Sequence, residues 1–273
     1  MFTQIVLAEE SKLLRRLLVW IELALLAGLV LFLAWGLGAV GTPDEQRQVL
    51  WPLAPLTMLE LGMIFGPFFT VGLVGAAVAQ DYSWRTVQLW LSHGVPRPTL
   101  LLGKLVALCL PLLLLLLVPL LIGAPVTALL TLQRTGAVDV GAVRFGGLAL
   151  GVLRGAATLL PYAAATLLLG VLTRNTIGPL AGGVALVMGE NLLGQVLTAA
   201  GPSGLALLRL LPAGLATSIA HANAAAVGRP VDVGLAAVEL MLPPPLALVG
   251  ILGYTLLFGG LALWIFQRQD LTG

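Results

Sequence analysis

Four ionisable side chains, Glu22, Glu60, Arg154 and Glu190, together with the amide Asn191, stand inside runs of apolar sequence. A charge held in hydrocarbon is costly, so such groups pair, line a polar path or pass protons. Glu22 lies close to the start of its run, where reaching back to water accounts for it. At about 1.5 Å per helical residue, Glu60, Arg154 and Glu190 fall at overlapping depths. A pair of Arg154 with Glu190 or Glu60 is therefore expected, as a structural lock first and a substrate contact second. Around Arg154 runs Gly147-x-x-x-Gly151-x-x-x-Gly155, a stripe of small residues that lets helices approach closely. Gly62-x-x-x-Gly66 and Gly178-x-x-x-Gly182 repeat the spacing, so these three segments are expected to pack together.

Other chemistry is poorly supported. His93 and His221 are far apart and have no Cys, Asp or Glu at ligand spacing, and Cys109 is the single cysteine. A metal site, an internal disulfide and a membrane-embedded enzyme, which needs convergent acid–base or nucleophile groups, all lack their residues. No cofactor is expected in this chain.

The elements that hold these residues follow from composition. The chain has 273 residues, 59% hydrophobic and 10% charged, with a mean hydropathy of +1.04. A soluble domain carries about 25% charged residues, so the solvent of this fold is lipid. The net charge of +2 comes from scattered residues and not from a basic face, which argues against nucleic acid. Six runs reach the roughly 20 apolar residues that cross a bilayer: 17–41, 55–79, 104–132, 145–172, 177–200 and 246–266. Strand alternation is absent, so an all-α polytopic membrane protein with one transmembrane domain over 1–273 is expected. The first run is too long for a signal-peptide core and reads as a retained helix. Pro111, Pro119 and Pro125 predict a kink in the third run, or an interfacial outer end to it.

Lys and Arg in the connections set the orientation. With the N-terminus inside, Lys12, Arg15, Arg16, Arg85, Arg97, Lys104, Arg174 and Arg268 are inner and Arg47, Arg134, Arg144, Arg209 and Arg229 outer, eight against five. Both termini are then cytoplasmic, in a cell membrane. Residues 1–16 read either as an amphipathic interfacial helix or as a charged flank. Residues 201–245 are apolar but broken by Pro212, and predict short helices on or dipping into the outer leaflet.

Residues 80–99 form the remaining polar piece. Asp81 or Ser83 can cap a short helix, whose apolar face is Trp84, Val87, Trp90 and Leu91. Gly94 suits its C-terminal stop, while Pro96 and Pro98 prevent continuation. By composition this is an interfacial helix or a docking knob.

The order of these residues resembles the permease subunits of ABC-2 type transporters. The resemblance rests on Asp81, Arg85-Thr86, "VQLWLSHG", "VPR" ending in Arg97 and "LLLGK" ending in Lys104, with Arg85 where the family carries glycine. Over the rest of the chain, six spans, the inner loop "LTRNTIG", "LLRLLP" after span five and the final "FQRQDLTG" follow the family's order. The resemblance implies that the first-loop helix is a coupling helix, docking an ATP-binding subunit through Asp81, Trp84, Arg85, Val87, Trp90, Leu91 and Arg97. Arg174 and Asn175 would make a second, weaker contact. The chain has no G-x-x-x-x-G-K-[ST]: Gly103-Lys104 is followed by Leu105, and Pro98 holds the first-glycine position. ATP and Mg would thus be bound by the partner. A second permease copy or paralogue, membrane lipid and a periplasmic or extracellular protein are the other implied partners, and export or lipid, peptide or drug extrusion the implied activity. The rival readings are a self-sufficient secondary transporter, which would show internal repeats, and a non-transporting membrane partner protein.

Overall fold

In the computed structural model the chain is described over residues 2–83, 86–175, 177–229 and 241–269, with 79–83, 86 and 87 given by backbone alone. Every regular element among these is a helix: α1 (Phe2–Leu14), α2 (Leu17–Val40), α3 (Pro43–Gln48), α4 (Ala54–Ser83), α5 (Thr86–Ser92), α6 (Arg97–Thr135), α7 (Phe145–Thr173), α8 (Ile177–Ala199), α9 (Pro202–Leu208), α10 (Pro212–Val227) and α11 (Pro244–Arg268). Six of them, α2, α4, α6, α7, α8 and α11, are long and apolar enough to cross a membrane. The fold is thus a multi-pass helical bundle. We call the end that carries α1 and Gln269 the terminal end, and the opposite end distal.

The long helices form because a backbone in hydrocarbon must satisfy its amides internally. α6 runs unbroken through Pro111, Pro119 and Pro125, and its 39 residues exceed what a bilayer core requires. The expected interfacial outer end is anchored in the protein instead. Thr131 Oγ1 accepts the Trp51 backbone N–H at 2.9 Å, and the Trp51 indole donates to the Ala124 carbonyl at 3.0 Å. Arg134 donates to the Gly38 carbonyl at the end of α2 at 2.6 Å. Between α2 and α4, α3 starts with a Thr42–Glu45 capping box. Those hydrogen bonds hold the Glu45 carboxyl below the usual carboxylate range.

α7 is central, packing on α4, α6, α8, α10 and α11. Its glycine stripe does open space for neighbours, but not for α8 as expected. A Cβ at Gly147 would meet the Ala226 carbonyl of α10 at 2.9 Å, one at Gly151 would press on Leu59 of α4 at 2.8 Å, and one at Gly155 would crowd Met63 at 3.2 Å. α4, α7 and α8 do pack together. α8 joins through Gly183, where a Cβ would lie 3.1 Å from Thr166 Oγ1, and through buried Pro179 and Val187.

The distal segment holds two short helices, as expected, and the second dips into the bundle. α9 and α10 meet at 87°, and α10 enters the bundle between α4, α7 and α11. Leu215, Ile219 and Asn223 of α10 are buried, and Asn223 Nδ2 donates to the Gly151 carbonyl at 3.3 Å. A helix with one such polar group facing a glycine notch is a bundle member and not a surface rider. Residues 230–240 of the expected 201–245 segment lie outside the described residues.

At the terminal end α1 lies along α6, with Ile5 above Gly103. Ile5, Glu9 and Leu13, one face at i, i+4 and i+8, are buried. Glu9 is 3% exposed, and its carboxylate takes Lys104 Nζ at 2.6 Å and Lys12 Nζ at 3.5 Å. Lys104 is 7% exposed and turns to Glu9. Removing one partner of a buried pair strands the other charge, at about 3–5 kcal/mol. Lys104→Met should accordingly lower stability by about that much in detergent thermal unfolding, and Glu9→Leu added to it should recover most of the loss. An unchanged midpoint for Lys104→Met alone would show that α1 is not held this way.

Candidate functional site

The intramembrane acids find partners other than Arg154. Glu60 Oε2 pairs with Arg229 Nη1 at 2.7 Å. Glu190 accepts the Tyr162 hydroxyl at 2.6 Å through Oε2 and the Ala213 backbone N–H at 2.7 Å through Oε1. Arg154, half-buried on α7, pairs with neither, and among the described residues it has no ion-pair partner. The reason is α10: its insertion brings Arg229 to Glu60 and its own N-terminus to Glu190.

Helix ends explain both contacts. α10 begins Leu211-Pro212-Ala213, and Leu211 has no side-chain oxygen to satisfy the first free amides. Glu190 of α8 performs that task from a neighbouring helix, and a carboxylate there also meets the positive end of the α10 dipole. At the other end Gly228 takes φ +80° and donates to the Ala225 carbonyl, while Arg229 N–H returns to Ala224 O at 3.0 Å. This is a Schellman stop, and the left-handed residue it requires is readily supplied by glycine. The turn sends the Arg229 side chain to Glu60.

Between the two contacts is a cavity of about 520 Å³. Glu60, Met63, Ile64 and Pro67 of α4 form one wall, Tyr162 of α7 and Val187 and Asn191 of α8 a second, and Thr217, Ala220 and His221 of α10 a third. Pro67 has no N–H for the Met63 carbonyl, which loosens α4 along this wall. A few polar groups from all three walls thus face a largely apolar chamber, the usual make-up of a small-molecule site. Glu60, Glu190 and Asn191 were expected at a polar position and are at or beside this cavity; Tyr162, His221 and Arg229 were not expected. The signal for Arg229 was its place one residue after a glycine at the end of an apolar run.

Glu22 departs from its expectation as well. It is 9% exposed, lies on the notch over Gly72 of α4, and its Oε2 is buried without a hydrogen bond. Among the described residues no group of His, Cys, Asp or Glu is arranged to hold a metal.

The residues expected to dock a partner lie at the terminal end. α4 continues to Ser83, so Asp81 belongs to its last turn. Trp84 and Arg85 lie outside the described residues, and Val87 is placed by its backbone in α5. Trp90 and Leu91 turn inward and pack on the bundle core. The outward residues are Leu89, 57% exposed, with Ser92 and His93. Gly94, at φ +77°, makes the turn into α6 as expected. Arg97 is engaged inside the chain, its Nη1 lying 2.8 Å from Gln267 O and 2.7 Å from Gln269 O, which satisfies carbonyls left free at the end of α11. In the second loop Arg174 ends α7 at φ +50°, and Asn175 Oδ1 accepts the Gly178 N–H at 2.6 Å, tying down the first turn of α8.

Glu190→Ala should lower thermal stability by about 1–3 kcal/mol, because a half-buried helix terminus and the Tyr162 hydroxyl both lose their acceptor. Tyr162→Phe should cost about 1 kcal/mol, and Glu190→Gln, which keeps an amide oxygen, less than Glu190→Ala. Equal losses for the Gln and Ala variants would show that charge, and not the hydrogen bond, holds α10.

A family model described as "Protein of unknown function (DUF2705)" matches residues 24–272. The chain belongs to that family, and the match takes in every residue of the cavity wall. A comparison with curated proteins finds no match.

Proposed function

We propose that the chain is the permease subunit of an ATP-driven transporter of the ABC-2 kind, moving an amphiphilic cargo with energy supplied by a separate ATP-binding subunit. The observation that carries this is the placement of α5. It is a seven-residue helix strung between two spans, anchored to the core through Trp90 and Leu91 and presenting Leu89 and His93 outward. A partner pressing on that face moves α4 and α6 together. α4 packs on α5 at one end and forms the cavity wall at Glu60–Pro67 further along, so one helix joins the docking point to the chamber. Lys104–Glu9 and Arg97 with the α11 end tie the base of α6 to α1 and α11, so the push is shared across the bundle.

On this reading the terminal end faces the cytoplasm, the ATPase supplies ATP and Mg, and two copies or paralogues form the pathway. The basic residues near the terminal end support that orientation. Because Trp90 and Leu91 face inward, the docking contact is made by Leu89, His93 and the turn at Gly94.

Leu89→Glu should abolish co-purification of a soluble ATPase encoded beside this chain while the variant stays monodisperse, and ATP hydrolysis co-eluting with the wild type should fall to background. Trp90→Glu should also lose the partner, with a lowered thermal midpoint. Cargo movement in vesicles that hold this chain and no ATPase would favour a self-sufficient transporter and defeat the proposal.

A further inference from the structure

We propose that the cavity beside α10 binds the headgroup of a zwitterionic lipid, an ammonium–phosphate head whose two charges replace the Glu60–Arg229 contact. This names the cargo class of the transport reading, although the binding itself does not depend on an ATPase.

The first argument is the form of the ion pair. Arg229 meets Glu60 through Nη1 alone, end-on, whereas a guanidinium favours a two-pronged grip on carboxylate or phosphate. The remaining guanidinium donors make no other bond among the described residues. Both side chains line the cavity and keep partial exposure, 15% for Arg229 and 24% for Glu60. The pair is therefore open to exchange from one side.

Charge selects the occupant. Glu60 and Arg229 sum to zero, and the carboxylate of Glu190 is already met by the α10 N-terminus and the Tyr162 hydroxyl. A purely anionic head on Arg229 would turn Glu60 loose in a poorly solvated chamber, and a purely cationic one on Glu60 would strand Arg229. Both outcomes carry the penalty of an uncompensated buried charge. A head with both charges keeps the sum at zero, phosphate on Arg229 and ammonium on Glu60.

The walls point to lipid over a soluble zwitterion. Ile64 lines the cavity and is 61% exposed on the surface of a span, so the chamber opens through an apolar rim. Met63, Val187 and Ala220 offer surface to the first methylenes, and Thr217 and Asn191 offer polar groups for the ester region. A volume of about 520 Å³ holds a headgroup with the start of its chains and excludes the full tails.

The test uses the full chain in detergent, with dihexanoyl-phosphatidylethanolamine, dihexanoyl-phosphatidylglycerol and free phosphoethanolamine as probes, read by thermal shift and native mass spectrometry. The zwitterionic lipid should bind at least about tenfold more tightly than either comparison, and Glu60→Gln or Arg229→Gln should each cost about tenfold or more. Ala220→Trp fills the chamber without touching the pair, and should remove binding while leaving the thermal midpoint of the free protein near wild type. The exchange Glu60→Arg with Arg229→Glu keeps the charge sum and should keep the preference for the zwitterion. Equal binding of phosphatidylglycerol overturns the proposal, as does binding of phosphoethanolamine as tight as the lipid, or full binding by the Ala220→Trp variant. Selective lipid binding with no ATPase partner would leave the cavity assignment standing and remove the transport reading; ATPase docking without lipid selectivity would do the reverse.

Discussion

The hydrogen bond from Ala213 to Glu190 is the contact on which the distal half depends. A helix that ends inside an apolar bundle has amides which neither water nor a further turn can satisfy, and each orphan is expensive in hydrocarbon. Leu211 cannot cap α10, so the acceptor must come from elsewhere, and α8 supplies it. The start of α10 is fixed there, and its end is closed by the Gly228 turn. That position brings Arg229 to Glu60 and leaves the chamber between them.

The same logic governs the terminal end with different residues. The last carbonyls of α11 are met by Arg97 from the start of α6, and Gln269 donates back to the Val171 carbonyl at 2.6 Å. Glu9 and Lys104 neutralise each other where α1 lies against α6. Each polar group that the bundle takes in is matched to a helix end or an opposite charge on another element. The exceptions among the described residues include Glu22 and Thr70, whose buried oxygens have no partner.

What the sequence disclosed follows from how local each signal is. The spans were legible because a run of apolar residues needs no partner to be recognised, and 17–41, 145–172 and 177–200 match α2, α7 and α8 to within a residue. α6 starts at Arg97, seven residues before the apolar run that begins at 104, because a first turn tolerates Pro98. The glycine stripe on α7 was visible, but its neighbour was not: spacing shows that something approaches closely and does not say what. The ion pairs were least legible. Depth placed Arg154 near both acids, whereas the pairing depended on a non-spanning helix whose insertion leaves no periodic mark. The inward turn of Trp90 was hidden for a similar reason, since an apolar face reads alike whether it meets a core or a partner.

The contacts that fix α10 also differ in how far apart they lie along the chain. Ala213 and Glu190 are separated by 23 residues, whereas Arg229 and Glu60 are separated by 169. Short loops close with little entropic cost, and long ones close late. The Glu60–Arg229 contact closes the longer loop of the two and so carries the larger chain-entropy cost.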